Sequence, residues 1–195
     1  MKKLYRSIDN DFELDDKKVQ GKSIKFNEYS VDLGGFREII LSDALTQETI
    51  NKSDVFCTFN HDDNKILARC KNNDPNSSLK LSLTDSGLFY TFEIPNTELG
   101  RTLLEQIKRG EIYGSSFAFT IADDSWEHRT VDGVDTLVHI VKRIDQLFDV
   151  SPVYTPAYDS THDISLRSFP DNDYNVVKIE KTLNNLNGLL EKLYF

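Results

Sequence analysis

Cysteine, methionine and tryptophan are scarce in this chain of 195 residues, which holds two, one and one of them. Cys57 and Cys70 lie too far apart for a Cys-x-x-Cys pair and have no pair of histidines beside them, so neither a zinc site nor a thiol redox motif is expected. They read as ordinary buried thiols, kept reduced in a chain that is not secreted. No apolar run approaches the ~18 residues of a membrane span. The opening MKKLYRSIDNDF has two lysines with no apolar stretch behind them, so no signal peptide is expected. Positive charge is in deficit: 23 Lys and Arg stand against 32 Asp and Glu, for a net charge of -9. Such a surface repels phosphate backbones, which disfavours direct nucleic-acid binding. His-x-His, His-Glu-x-x-His and EF-hand spacings are all absent, so no metal and no cofactor are expected. What is present is 38% hydrophobic and 28% charged sequence, enough for a sizeable core and unlike a disordered chain.

Along the chain, residues 1–16 are polar and acidic and are expected to fray or to pair as a sheet edge. A first strand is expected within 17–29, and LGGF at 33–36 is a turn signal leading into the apolar REIIL. Ser42 is expected to cap a short helix, DALTQETI. DVFCTF alternates with period two, HDDN makes a turn-rich tip, and KILARC returns. KNNDPNSS is a loop, and LKLSLTDSGLFYTFEIP is a hairpin about Asp85-Ser86-Gly87. Thr97 is expected to cap a helix over 98–109 that Gly110 closes. EIYGSSFAFTI is a strand, and DTLVHIVKRIDQLFDVSPV gives one long strand or a broken pair. The prolines of SPVYTPAY are expected to end regular structure. This predicts an α+β protein, a mostly antiparallel β-barrel or curled sheet surrounded by helices. Its domain is expected to span 1–165, with a linker at 166–175 and an amphipathic, coiled-coil-like helix at 176–195. The helix is read from a heptad seam of Val176, Ile179, Leu183, Leu186, Leu190 and Leu193.

The pair of serines in GSSFAF, residues 114–119, raises a chemical question. With strand periodicity, Tyr113, Ser115, Phe117, Phe119 and Ile121 share a bulky face that belongs in a core. Ser116 falls on the other face between Gly114 and Ala118, where small neighbours leave room above a hydroxyl. A nucleophile is better placed at Ser116 than at Ser115, although a polar residue on a half-exposed strand looks the same. A serine needs a base to take its proton. His128 and His162 read as exposed loop residues, His139 as a strand residue, and His61 as the last residue of a strand before a turn. The acid that orients an imidazole could be Asp145, Asp149 or Asp62.

Read together, FNHDDNKILAR (59–69), IKRGEIYGSSFAF (107–119) and LFDVSPVYTPAY (147–158) resemble the prohead proteases of tailed bacteriophages. Gly21 to Tyr29 and GGFREIILSDAL at 34–45 add to the likeness, which runs from about residue 18 to 160. The resemblance implies a serine endopeptidase related to the herpesvirus maturation protease, a β-barrel surrounded by helices. It implies acyl transfer with Ser116 as nucleophile, His61 as base and Asp149 in the orienting role. His139 and Asp62 are rivals for that third place, and Arg143, then Arg69, are the arginines to consider for holding the oxyanion. The implied substrates are major capsid protein and scaffold, and the chain itself by autocleavage, from a homodimer or higher oligomer inside the immature capsid in the host cytoplasm. A non-catalytic capsid-assembly or scaffold-binding module of the same fold is the alternative of a different class.

Overall fold

The structure, a computed structural model, describes residues 4–9, 13–15 and 18–154, with side chains from 18 onward. The expected linker at 166–175 and helix at 176–195 lie outside the described residues, as does His162. Ten strands and two α-helices make up the described chain. The strands are β1 (Leu4–Asp9), β2 (Glu13–Asp15), β3 (Lys18–Lys25), β4 (Arg37–Ile40), β5 (Asp54–Phe59), β6 (Asp62–Lys71), β7 (Leu79–Thr84), β8 (Gly87–Glu93), β9 (Gly114–Val131) and β10 (Val134–Val153). The helices are α1 (Gln47–Lys52) and α2 (Glu98–Lys108). They form two sheets that do not close into a barrel: one of six strands in the order β1-β9-β10-β5-β6 with β4 added on β10, and one of four in the order β2-β3-β8-β7. The open arrangement corrects the expected barrel, because β10 takes β4 and β5 as parallel neighbours on top of its antiparallel partner β9.

One core joins the sheets. Val19 and Ile24 of β3, Leu88, Tyr90 and Phe92 of β8, Val55 and Cys57 of β5, Phe117 and Phe119 of β9, and Ile144, Leu147 and Val150 of β10 all belong to it. α2 adds Leu103 and Ile107. Thr97 caps α2 by accepting the N–H of Gly100 at 3.1 Å, which satisfies one of the donors a helix start leaves open. The start of α1 lies later than expected: Ser42–Ala44 is a single 3-10 turn, and Thr46 caps the helix by accepting the N–H of Thr49 at 3.2 Å. The Ser42 hydroxyl is turned instead to the side chain of Asp43.

β9 and β10, of 18 and 20 residues, pair along nearly their whole length and turn at Asp132-Gly133, both with positive φ. Four register shifts lie between Val141 and Asp149 and break the strict alternation of side chains there. β10 ends at Val153, with the expected segment: Pro152 still pairs with Ser115 within it, and its carbonyl accepts the N–H of Asn60 at 3.1 Å.

Candidate active site

The turn from β5 to β6 is the tightest a hairpin allows. Phe59 pairs with Asp62, and between them Asn60 and His61 have φ of 54° and 59°. That is the conformation of a two-residue hairpin loop, in which glycine and asparagine are favoured and a histidine pays a steric cost. The bond from Asn60 to the Pro152 carbonyl seats this turn on the end of β10.

β10 then places the acid and β9 the hydroxyl. Ser116 lies directly across from Ser151, and Ala118 across from Asp149. Ser116 and Asp149 therefore share a face, with the small Ala118 leaving space beside them. His61 fills that space. Its Nε2 is hydrogen-bonded to Ser116 Oγ, and its Nδ1 lies 3.0 Å from Asp149 Oδ1. The second contact is at hydrogen-bond distance, with its two buried atoms not aligned as a hydrogen bond, and is an ion pair only while the imidazole is protonated. Ser116 is fully buried, Asp149 is 8% exposed, and the His61 side chain is 24% exposed, so the imidazole is the part of the group open to solvent. A proton on Nδ1 leaves the Nε2 lone pair to accept from the serine, the arrangement in which a base can activate a hydroxyl.

Ser115 takes the other face, as its periodicity predicts: its hydroxyl is 2.7 Å from that of Tyr90 in the core. The ring of Tyr90 lies so close to Gly21 that a Cβ there would come within 2.5 Å of it. Tyr113 departs from the expectation, since it stands before β9 and is exposed. Ser116 departs too, being wholly enclosed where a half-exposed strand face was expected, because His61 and Asp149 occupy the room beside it.

The rival residues are engaged elsewhere. His139 is enclosed between Glu38, at 2.8 Å from Nδ1, and Asp124, at 2.7 Å from Nε2, and stacks on Trp126. Asp62 turns back on its own strand, accepting from the Asn64 N–H and pairing with Lys65, and these contacts hold its carboxyl below the usual range. Asp145 pairs with Lys52, and His128, exposed, with Asp135. Arg69 forks onto Asp54 with bonds of 2.8 and 2.5 Å. Arg143 is exposed, opposite Asp123, and the register shifts remove the common face with Asp149 that alternation predicts.

Two residues that the sequence did not single out complete the site. The Thr58 hydroxyl donates to Asp149 Oδ2 at 3.1 Å, and Ser151 Oγ lies 3.0 Å from Thr58 Oγ1 and 2.9 Å from the Thr58 nitrogen. Both are buried. Ser151 had a signal in the sequence, since it follows Asp149 by two residues on one strand; Thr58 had none beyond being a polar residue in an apolar strand. Asp149 also acts on its surroundings: burial first, and then its negative charge, push the thiol of Cys57 well above its ordinary value.

Residues 5–173 match the family described as caudovirus prohead serine protease. Among solved structures the chain is similar to the capsid assembly protease of bacteriophage T4, at 14% identity and a TM-score of 0.47, over 79% of this chain and 98% of that one. No curated protein matches it. The family match covers most of the sequence, and the chain belongs to the caudovirus prohead serine proteases.

Proposed function

We propose that this chain is a capsid-maturation serine endopeptidase in which Ser116 is the nucleophile, His61 the general base and Asp149 the acid that orients the imidazole. The observation that carries the reading is the single imidazole in contact with both the Ser116 hydroxyl and the Asp149 carboxylate. In the acylation step, Ser116 Oγ bonds to the carbon of a scissile peptide while its proton passes to His61 Nε2. His61 then gives that proton to the leaving amine as the carbon–nitrogen bond breaks. Water, deprotonated by the same nitrogen, releases the acyl group and restores the serine. Asp149 stabilises the imidazolium formed twice in the cycle, and its partly enclosed setting strengthens that attraction.

The substrates proposed are the capsid and scaffold proteins enclosed with the enzyme in the immature head, together with the chain itself in an oligomer. The test is mass spectrometry of the purified chain incubated with those proteins under assembly conditions. Wild type should yield fragments. Ser116→Ala should reduce their rate by at least about 10⁴-fold. Ser115→Ala should still cut, because its hydroxyl bonds Tyr90 in the core rather than the imidazole. Intact substrates with the wild-type chain would move the chain to a scaffold-binding role, and unchanged cutting by Ser116→Ala would place the nucleophile elsewhere.

A further inference from the structure

The buried hydroxyls of Thr58 and Ser151 have a proton arrangement that can be worked out completely. A carboxylate oxygen only accepts, so the one hydroxyl proton of Thr58 goes to Asp149 Oδ2, across 3.1 Å. With that proton committed, the 3.0 Å contact between the two hydroxyls requires Ser151 to donate to Thr58 Oγ1. The Ser151 oxygen in turn accepts the backbone N–H of Thr58 at 2.9 Å. The donors run one way: Thr58 N–H to Ser151, Ser151 O–H to Thr58, Thr58 O–H to Asp149.

The backbone explains why these groups meet. The register of β5 against β6 shifts on both sides of Thr58, and β10 pairs with β5 in parallel at Asp149 and Phe56. The Thr58 N–H is therefore turned to the Ser151 hydroxyl, with Thr58 2% exposed and Ser151 fully buried. An enclosed polar pair of this kind is costly unless every member is satisfied. Here the unsatisfied end of the chain is closed by a carboxylate.

We propose that Thr58 and Ser151 are positioning residues of this protease. Thr58 fixes Oδ2 of Asp149 so that Oδ1 faces His61; Ser151 fixes the Thr58 hydroxyl so that its proton points at Asp149. The inference rests on the reading of Asp149 as the orienting acid. It adds a consequence that this reading alone does not have: rate should depend on a hydroxyl at position 58 that touches neither the nucleophile nor the substrate.

The experiment compares full-length wild type, Thr58→Val, Thr58→Ser, Ser151→Ala and Ser116→Ala on a peptide substrate, with circular dichroism to fix the folded fraction. Thr58→Val keeps the shape and removes the donor. It should lower kcat about tenfold to a hundredfold with KM little changed, since a charge-assisted hydrogen bond supporting the imidazolium is lost. Thr58→Ser should recover most of kcat. Ser151→Ala should fall between wild type and Thr58→Val, because the Thr58 hydroxyl is then free to rotate. If Thr58→Val destabilises the fold too far to assay, the serine variant and Ser151→Ala carry the comparison, and equal kcat for wild type and Ser151→Ala overturns the inference. Thr58→Val with wild-type kcat, or Thr58→Ser no better than Thr58→Val, also overturns it while leaving the Ser116 mechanism standing. Cutting that is unaffected by Ser116→Ala overturns both.

Discussion

His61 sits where a side chain is sterically unwelcome. At φ 59° the Cβ crowds the following carbonyl, a cost of about 1–2 kcal/mol that glycine does not bear. The turn nonetheless carries an imidazole, because this is the position from which a side chain reaches both β9 and β10. Strain of this kind is tolerated when the surroundings hold it, and the bond from Asn60 to Pro152 is part of that hold. Two substitutions separate the chemistry from the strain. His61→Ala and His61→Gly both remove the proposed base and should be equally inactive. Glycine should unfold at higher urea than alanine, by about 1 kcal/mol, because only the backbone term differs between them. Equal midpoints would mean that the turn relaxes out of its left-handed geometry once the imidazole is gone. At this scale much was legible in the sequence. Strand periodicity separated Ser116 from Ser115, whereas the histidine at a strand end, His61, was set apart from the other three only by the resemblance. What the sequence could not supply was the reason for the small residues around Ser116. They make room for His61 and Asp149, which come from segments about 55 and 33 residues distant in the chain.

Among the elements, α2 tests local rules against packing. Its cap at Thr97 and its close before Gly110 were both legible, since each is set within a few residues of chain. Thr97→Ala should cost about 1 kcal/mol, read from the denaturation midpoint. Gly100 is the exception. Helix propensity favours alanine there by about 1 kcal/mol. A Cβ at that site, however, would stand 1.9 Å from the Pro95 carbonyl oxygen, a contact with backbone that cannot swing aside. Gly100→Ala should therefore destabilise the protein, and by more than the loss of the cap; a rise in stability would show that the 95–97 segment moves away freely. Elements defined by distant partners were less legible. The helix expected from Ser42 begins only after Thr46, and whether the segment through Val153 is one strand or a broken pair is decided by its partners, Ser115 and Asn60 among them. The register shifts of β10 had no signal in the sequence, and they moved Arg143 off the face of Asp149.

Over the whole molecule, the long β9–β10 ribbon separates two centres of order. At one end lie Ser116, His61 and Asp149 beside the large core. Towards the Asp132-Gly133 turn lie two small apolar clusters, one built from Ile39, Val131, Val138 and Ile140 and the other around Phe36 and Leu137, with Trp126 packed on the second. His139, opposite Trp126, belongs to this distal end. Ten residues of strand between Ser116 and Trp126 amount to about 30 Å, so His139 cannot reach Ser116. Its role is set by its neighbours: it is 1% exposed, it stacks on Trp126, and it bridges Glu38, itself 3% exposed, to Asp124. Removing it deprives a buried carboxylate of its imidazole partner, a change that costs about 3–5 kcal/mol where a buried pair is broken. His139→Ala should therefore lower the denaturation midpoint strongly while the folded fraction retains wild-type kcat, measured at a temperature where both proteins stay folded. A variant that kept its stability and lost its rate would make His139 part of the chemistry and displace Asp149. The opposite outcome would show that a histidine the sequence could not distinguish from a catalytic one holds the far end of the ribbon together.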